Sequence, residues 1–124
     1  MSGAAPLDPA MQESLSSELG VPISQGWGMT ELSPIGCVDD CFRPAWGSSG
    51  ALATGTEGLI LDEQGKALAV GEVGELLIRG PQVMQGYLNR PDATAETIRS
   101  DGFLNTGDIA YRDPNPDPDP DPNP

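Results

Sequence analysis

Residues 58–80, "GLILDEQGKALAVGEVGELLIRG", decide the architecture of this chain. The apolar run Leu59, Ile60, Leu61 stops at Asp62-Glu63-Gln64-Gly65, residue types that turn a chain back on itself. Apolar residues then resume, so 58–70 predicts a hairpin with Asp62 to Gly65 as its turn. Leu76, Leu77 and Ile78 follow one another without polar alternation. That pattern predicts a strand from Glu75 to Arg79 sheltered on both faces. A sheet, not a helix, organises this part of the chain.

Outward from that stretch the signals change. Downstream, Pro91-Asp92 in "NRPDATAETIR" is a helix-start signal, and a short helix to Arg99 is expected. "SDGFLNTGDIAYRD" (100–113) reads as turn, short strand, glycine turn and strand. Upstream lies a connection rich in glycine and serine, "RPAWGSSGALATGTEG". Before it, Asp8 to Leu19 predicts a helix: Asp8 caps the first turn, Pro9 suits the first helical position and Gly20 suits the exit. Met11, Leu15 and Leu19 recur every four residues and predict a buried stripe. A short strand over Val21 to Ser24 is expected next. The fold class is thus α/β: a helix–strand unit (1–46), then a β-rich, distorted barrel-like subdomain (47–112), as in a piece of a larger enzyme. Asp113 to Pro124, "DPNPDPDPDPNP", removes every second N–H donor and disfavours helix, so a solvated, disordered polyproline-like tail is expected.

Composition narrows the chemistry. At 124 residues the chain has the size of one domain, and with 37% hydrophobic and 5% aromatic residues its core is modest. Six Lys plus Arg against nineteen Asp plus Glu give a net charge of -13, which repels nucleic-acid backbones. A small nucleotide is still admissible, because backbone N–H groups and a metal ion can hold phosphates. With no histidine, Ser-His-Asp and Cys-His catalysis and imidazole metal sites are excluded. Cys37 and Cys41 read as ordinary reduced thiols. No run has the length of a membrane span, and the first ten residues lack the regions of a signal peptide.

One stretch carries more order than a core requires. In "QGWGMTELSP" (25–34), two glycines flank a tryptophan, and a hydroxyl and a carboxylate follow at once. Glycines permit close backbone approach, an aromatic face can cover a flat ring, and Thr30 with Glu31 offers oxygen ligands. Together with "SGAAPL" (2–7), "GELLIRGPQVMQGYLNRPDATAETI" (74–98) and "DGFLNTGDIAYRD" (101–113), in this order, it resembles the adenylate-forming superfamily. Within that superfamily it is similar to acid–CoA ligases of the 4-coumarate–CoA ligase and luciferase-like branch. The resemblance spans residues 2–112.

The resemblance implies a reaction and a set of roles. In such enzymes a carboxylic acid attacks ATP to give an acyl-adenylate, and the thiol of coenzyme A then displaces AMP, with Mg²⁺ on the phosphates. By this likeness Gly3, Ala4 and Ala5 border adenine and the acyl pocket. Trp27 stands where the family usually has Tyr against the adenine face, so it stacks without a phenol oxygen. Gln25, Gly26, Gly28 and Met29 line the nucleotide. Thr30 lies near the α-phosphate, Glu31 holds Mg²⁺, and Asp108 of Thr106-Gly107-Asp108 accepts the ribose hydroxyls. Gly80, Pro81, Gly86, Tyr87 and Asn89 read as structural, Trp46 and Phe103 as packing residues, and nothing marks Cys37 as a nucleophile.

The family's upstream phosphate loop, its hinge Arg and its C-terminal Lys have no counterpart in this sequence. The chain is therefore expected to be an internal fragment, inactive in adenylation by itself. A non-catalytic nucleotide-binding or interaction module, and an amino-acid adenylation fragment feeding a carrier protein, are the alternatives. Small-molecule partners (a carboxylic acid, ATP and CoA) are expected. The family's compartments are soluble and intracellular, cytoplasmic or peroxisomal.

Overall fold

A computed structural model describes residues 1–3 and 5–114; the bulk of the expected tail lies outside them, as does Ala4. These residues form two compact units, one of Met1–Met29 with Ile35–Ala53, the other of Thr30–Pro34 with Thr54–Pro114.

In the first unit, α1 spans Pro9–Leu19. Its ends are set by local chemistry: the Asp8 carboxylate accepts from the N–H groups of Ala10 and Met11 at 3.0 and 3.3 Å, and Gly20 exits at φ 66°. The expected apolar stripe is not buried, since Met11 is 52% and Leu19 62% exposed. The residue that turns inward is Gln12, fully buried. Its amide donates to the Ile23 carbonyl at 2.7 Å and accepts from Gln25 Nε2 at 2.8 Å and the Gly47 N–H at 3.1 Å. The helix is anchored by one saturated amide, and that contact turns the stripe outward.

The strand expected at Val21 to Ser24 forms later in the chain. Ser2 pairs in parallel with Gln25, its N–H donating to Ser24 and its carbonyl accepting from Gly26. The ladder proper begins with β1, Gly26–Gly28, followed by β2, Ile35–Val38, and β3, Ala51–Leu52. They form an antiparallel sheet in the order β1-β2-β3. Gly50 makes the approach to β3 possible: a Cβ there would run into the backbone of Val38 and Asp39.

The second unit is built on β4, Glu57–Leu61, β5, Gly74–Arg79, and β6, Leu104–Ala110. They form an open antiparallel sheet in the order β4-β5-β6; among the described residues no closed barrel forms. The Asp62–Gly65 turn is present, its Asp62 carboxylate accepting from the N–H groups of Gln64 and Lys66. The return arm of the expected hairpin is reduced to a bridge between Leu61 and Ala67, and β4 takes β5 as its partner. A second turn accounts for this: the Glu72 carboxylate caps the Ala69 N–H and the Glu72 N–H returns to the Ala69 carbonyl, so residues 66–73 cannot extend. Leu77 and Ile78, on opposite faces of β5, are 1% and 0% exposed, so this strand is sheltered on both sides.

Thr106-Gly107-Asp108, expected as a turn between two strands, lies inside β6. The register against β5 slips between Glu75 and Leu77, where Leu76 faces Thr106, Gly107 and Asp108, and Gly107 takes φ 72°, so the two extra residues are absorbed as a bulge. Helix α2 spans Pro91–Thr97 and ends two residues early, because Ile98 becomes extended and bridges to Leu104. Leu61, Leu77 and Phe103 form the core cluster, with the Arg79 guanidinium 4.5 Å above the Phe103 ring. Phe103 packs as expected, whereas Trp46 is 44% exposed.

Candidate functional site

The residues singled out in the sequence fall in both units. In the first, Gly3 lies beside Gly26: a Cβ on Gly3 would sit 3.6 Å from the Gly26 carbonyl, and one on Gly26 3.3 Å from that of Cys37. Small residues therefore let the N-terminal segment, β1 and β2 approach closely. Trp27 is half-buried on β1, paired with Cys37 across the ladder, and Gly28 is exposed where the register slips. Ala5 is exposed and Met29 half-buried.

Gln25 is 8% exposed, and its side chain faces the fold. Its Oε1 accepts from the Leu7 N–H at 2.9 Å, while Nε2 donates to Gln12 Oε1 at 2.8 Å and to the Leu7 carbonyl at 3.2 Å. The amide thus fixes the approach of the N-terminal segment to β1. Cys37, opposite Trp27, is 8% exposed, and burial pushes its thiol up to about 11. At neutral pH it is a neutral, unreactive group.

The second unit holds Thr30, Glu31 and Asp108. Thr30–Leu32 form a single 3₁₀ turn, pinned by fully buried Leu32 and closed by the Ser33 N–H on the Thr30 carbonyl at 3.2 Å. This turn presents Glu31. Its carbonyl accepts from the Met84 N–H at 2.8 Å, and its Oε1 accepts from the Tyr87 hydroxyl at 2.5 Å. That hydrogen bond, with burial and the negative charge of Glu31, holds the phenol above its usual pKa. Asp108 is exposed on β6, its N–H donating to Thr106 Oγ1 at 3.1 Å, and Thr106 in turn donates to the Leu76 carbonyl at 2.6 Å. The Gly107 bulge sets the direction in which this exposed aspartate leaves the sheet. Among the described residues no three His, Cys, Asp or Glu side chains cluster as a metal site. The Tyr87–Glu31 contact is the feature that the sequence did not disclose; 56 residues separate the two, and no local pattern marks the pairing.

Comparison with known proteins identifies the family and the fold. The profile of the AMP-binding enzyme family matches residues 1–88. A 4-coumarate–CoA ligase of Pinus taeda is 40% identical over 120 residues, covering 91% of this chain and 22% of the relative. ATP-bound MatB from Rhodopseudomonas palustris superposes with a TM-score of 0.82 at 31% identity, over 91% of this chain and 23% of that one. An anthranilate CoA ligase in complex with anthranoyl-AMP gives 0.85 at 28% identity, over 92% of this chain and 22% of that one. The chain spans about a fifth of the length of the relatives it matches. With its two open antiparallel sheets, matching part of the large N-terminal domain of acid–CoA ligases, it belongs to the AMP-binding enzyme family.

Proposed function

We propose that this chain carries the nucleotide-facing part of an AMP-forming acid–CoA ligase. The full reaction joins a carboxylic acid to the α-phosphate of ATP with loss of pyrophosphate, and the CoA thiol then displaces AMP. The observation that carries this reading is the 40% identity to a 4-coumarate–CoA ligase over nearly the whole chain. The relatives compared are CoA ligases, which favours this reading over an amino-acid adenylation fragment.

Each residue has a physical task. The backbone at Gly3, Ala5, Gly26 and Gly28 lets adenine and the acyl group come close, and Trp27 offers a stacking face. Gln25 orders that backbone through its amide. Met29 adds apolar contact, Thr30 a hydroxyl toward the α-phosphate, and Asp108 two acceptor oxygens for the ribose hydroxyls. Glu31 is a hard oxygen donor and fits Mg²⁺, which takes one or two carboxylates and fills its remaining positions with water and phosphate oxygens. The ion, when bound, neutralises charge on the phosphates. Chemistry of this kind is positioning and charge stabilisation. Alone, the chain binds ATP weakly and does not turn it over.

Calorimetry of ATP binding, compared with Asp108→Ala, tests the nucleotide role: heat of binding that survives the substitution removes Asp108 from the site. Pyrophosphate release with an aromatic and a fatty acid tests the lack of turnover. A rate clearly above a Glu31→Ala control would overturn it.

A further inference from the structure

Resting on the reading that Glu31 meets the metal ion, we propose that Tyr87 is the positioning residue for that carboxylate. Glu31 stands on a 3₁₀ turn of three residues, and its flexible side chain needs partners from elsewhere in the chain to hold one rotamer. The segment 84–87 supplies what the turn lacks. The Met84 N–H holds the Glu31 backbone at 2.8 Å, and the Tyr87 hydroxyl holds Oε1 at 2.5 Å. A neutral phenol donating to a carboxylate fixes its head group and leaves its negative charge intact.

Tyr87 is itself held in place. Its N–H donates to Thr94 Oγ1 at 2.9 Å, and Thr94 on α2 donates through its hydroxyl to the Arg90 carbonyl at 2.8 Å. Gly86 has φ 148°, and a Cβ there would lie 2.7 Å from Thr94 Cγ2, so only glycine lets the loop seat against this helix. The line of support runs from α2 through Thr94 and Tyr87 to Glu31. Pre-orientation of this kind raises the affinity of a carboxylate for a cation, because less rotamer entropy is lost on binding.

The test uses the full chain at neutral pH, with Mn²⁺ and ATP followed by paramagnetic broadening of the Glu31 and Tyr87 resonances. Both broaden in the parent chain, Glu31→Gln abolishes the effect, and Tyr87→Phe raises the Mn²⁺ concentration required by about tenfold. If Tyr87→Phe binds Mn²⁺ like the parent while Glu31→Gln does not, the positioning role falls and the metal reading stands. If broadening is absent from the parent chain or persists in Glu31→Gln, the metal reading falls, and with it the metal-positioning role. Should Tyr87→Phe fail to fold, Thr94→Val, which removes the hydroxyl that accepts from the Tyr87 N–H and donates to the Arg90 carbonyl, takes its place with the same expected weakening. Unchanged Mn²⁺ binding in that variant overturns the proposal.

Discussion

Gln12 Oε1 accepts from Gln25 Nε2 at 2.8 Å, an amide pair in which neither residue is more than 8% exposed. The pair ties α1 to the residue that opens β1 and so to the strand carrying Trp27. The same Gln12 amide satisfies the Ile23 carbonyl and the Gly47 N–H.

Gln12→Leu keeps the volume and removes every polar partner. Each buried group left unsatisfied costs about 1–3 kcal/mol, and a saturated neighbourhood relaxes only in part. A loss of about 2–4 kcal/mol in urea unfolding is expected. A variant as stable as the parent would mean that the amide pair does not anchor the helix.

The two ends of α1 were legible in sequence because their causes are local: a capping carboxylate, a proline at the first position and a glycine in the left-handed region. Its inward face was not. Gln12 turns in because of Gln25 and Gly47, 13 and 35 residues away, and no periodicity encodes partners at those distances. The Thr106-Gly107-Asp108 bulge reads as a turn in sequence for a similar reason. Glycine after threonine suits both, and the choice rests on the register of β5 beside it. The family was legible in residue types, through "QGWGMTE" and "NTGDIAYRD", whereas the hydrogen bond from Tyr87 to Glu31 was not.

Cys37 and Cys41 should differ in reactivity although they stand four residues apart. Cys37 is buried with its thiol raised to about 11, whereas Cys41 is exposed. At about pH 8 the Cys37 thiolate is scarcer by about two orders of magnitude than that of a freely exposed thiol. Iodoacetamide followed by peptide mass spectrometry should label Cys41 alone in the folded chain and both in denaturant. Equal labelling in the folded chain would show that β2 does not protect Cys37.

Glu57 and Arg79 pair across β4 and β5 through two contacts, at 2.6 and 3.1 Å. The hydrogen bond from Arg79 holds the Glu57 carboxyl below its ordinary value of 4.5. A carboxylate lowered in the folded state adds stability above its unfolded pKa, and that stability disappears as pH falls through the folded pKa. Thermal midpoints should therefore fall more steeply below about pH 4.5 in the parent than in Glu57→Gln. Because both side chains are open to solvent, the difference is small at neutral pH and fades in about 1 M salt. Parallel midpoint curves for the two chains would show that the pair contributes nothing to acid stability.

Gly74 and Gly107 both stand in the second sheet, yet they are required for different reasons. A Cβ at Gly74 would run into the Leu61 carbonyl and come within 2.7 Å of Leu68 Cδ1, so alanine there must push β4 and β5 apart. Gly107 has φ 72° and nothing within 4 Å of the added atom, so alanine there strains only its own backbone. Gly107→Ala should cost about 1 kcal/mol, and Gly74→Ala about 3 kcal/mol or more. Urea unfolding of the two variants separates the causes. If they cost the same, the β4–β5 contact at Gly74 gives way to the added methyl, and the close approach there contributes little. The order also bears on the site, because Asp108 depends on the bulge and not on the packing at Gly74. ATP affinity should fall in Gly107→Ala even where the sheet remains intact.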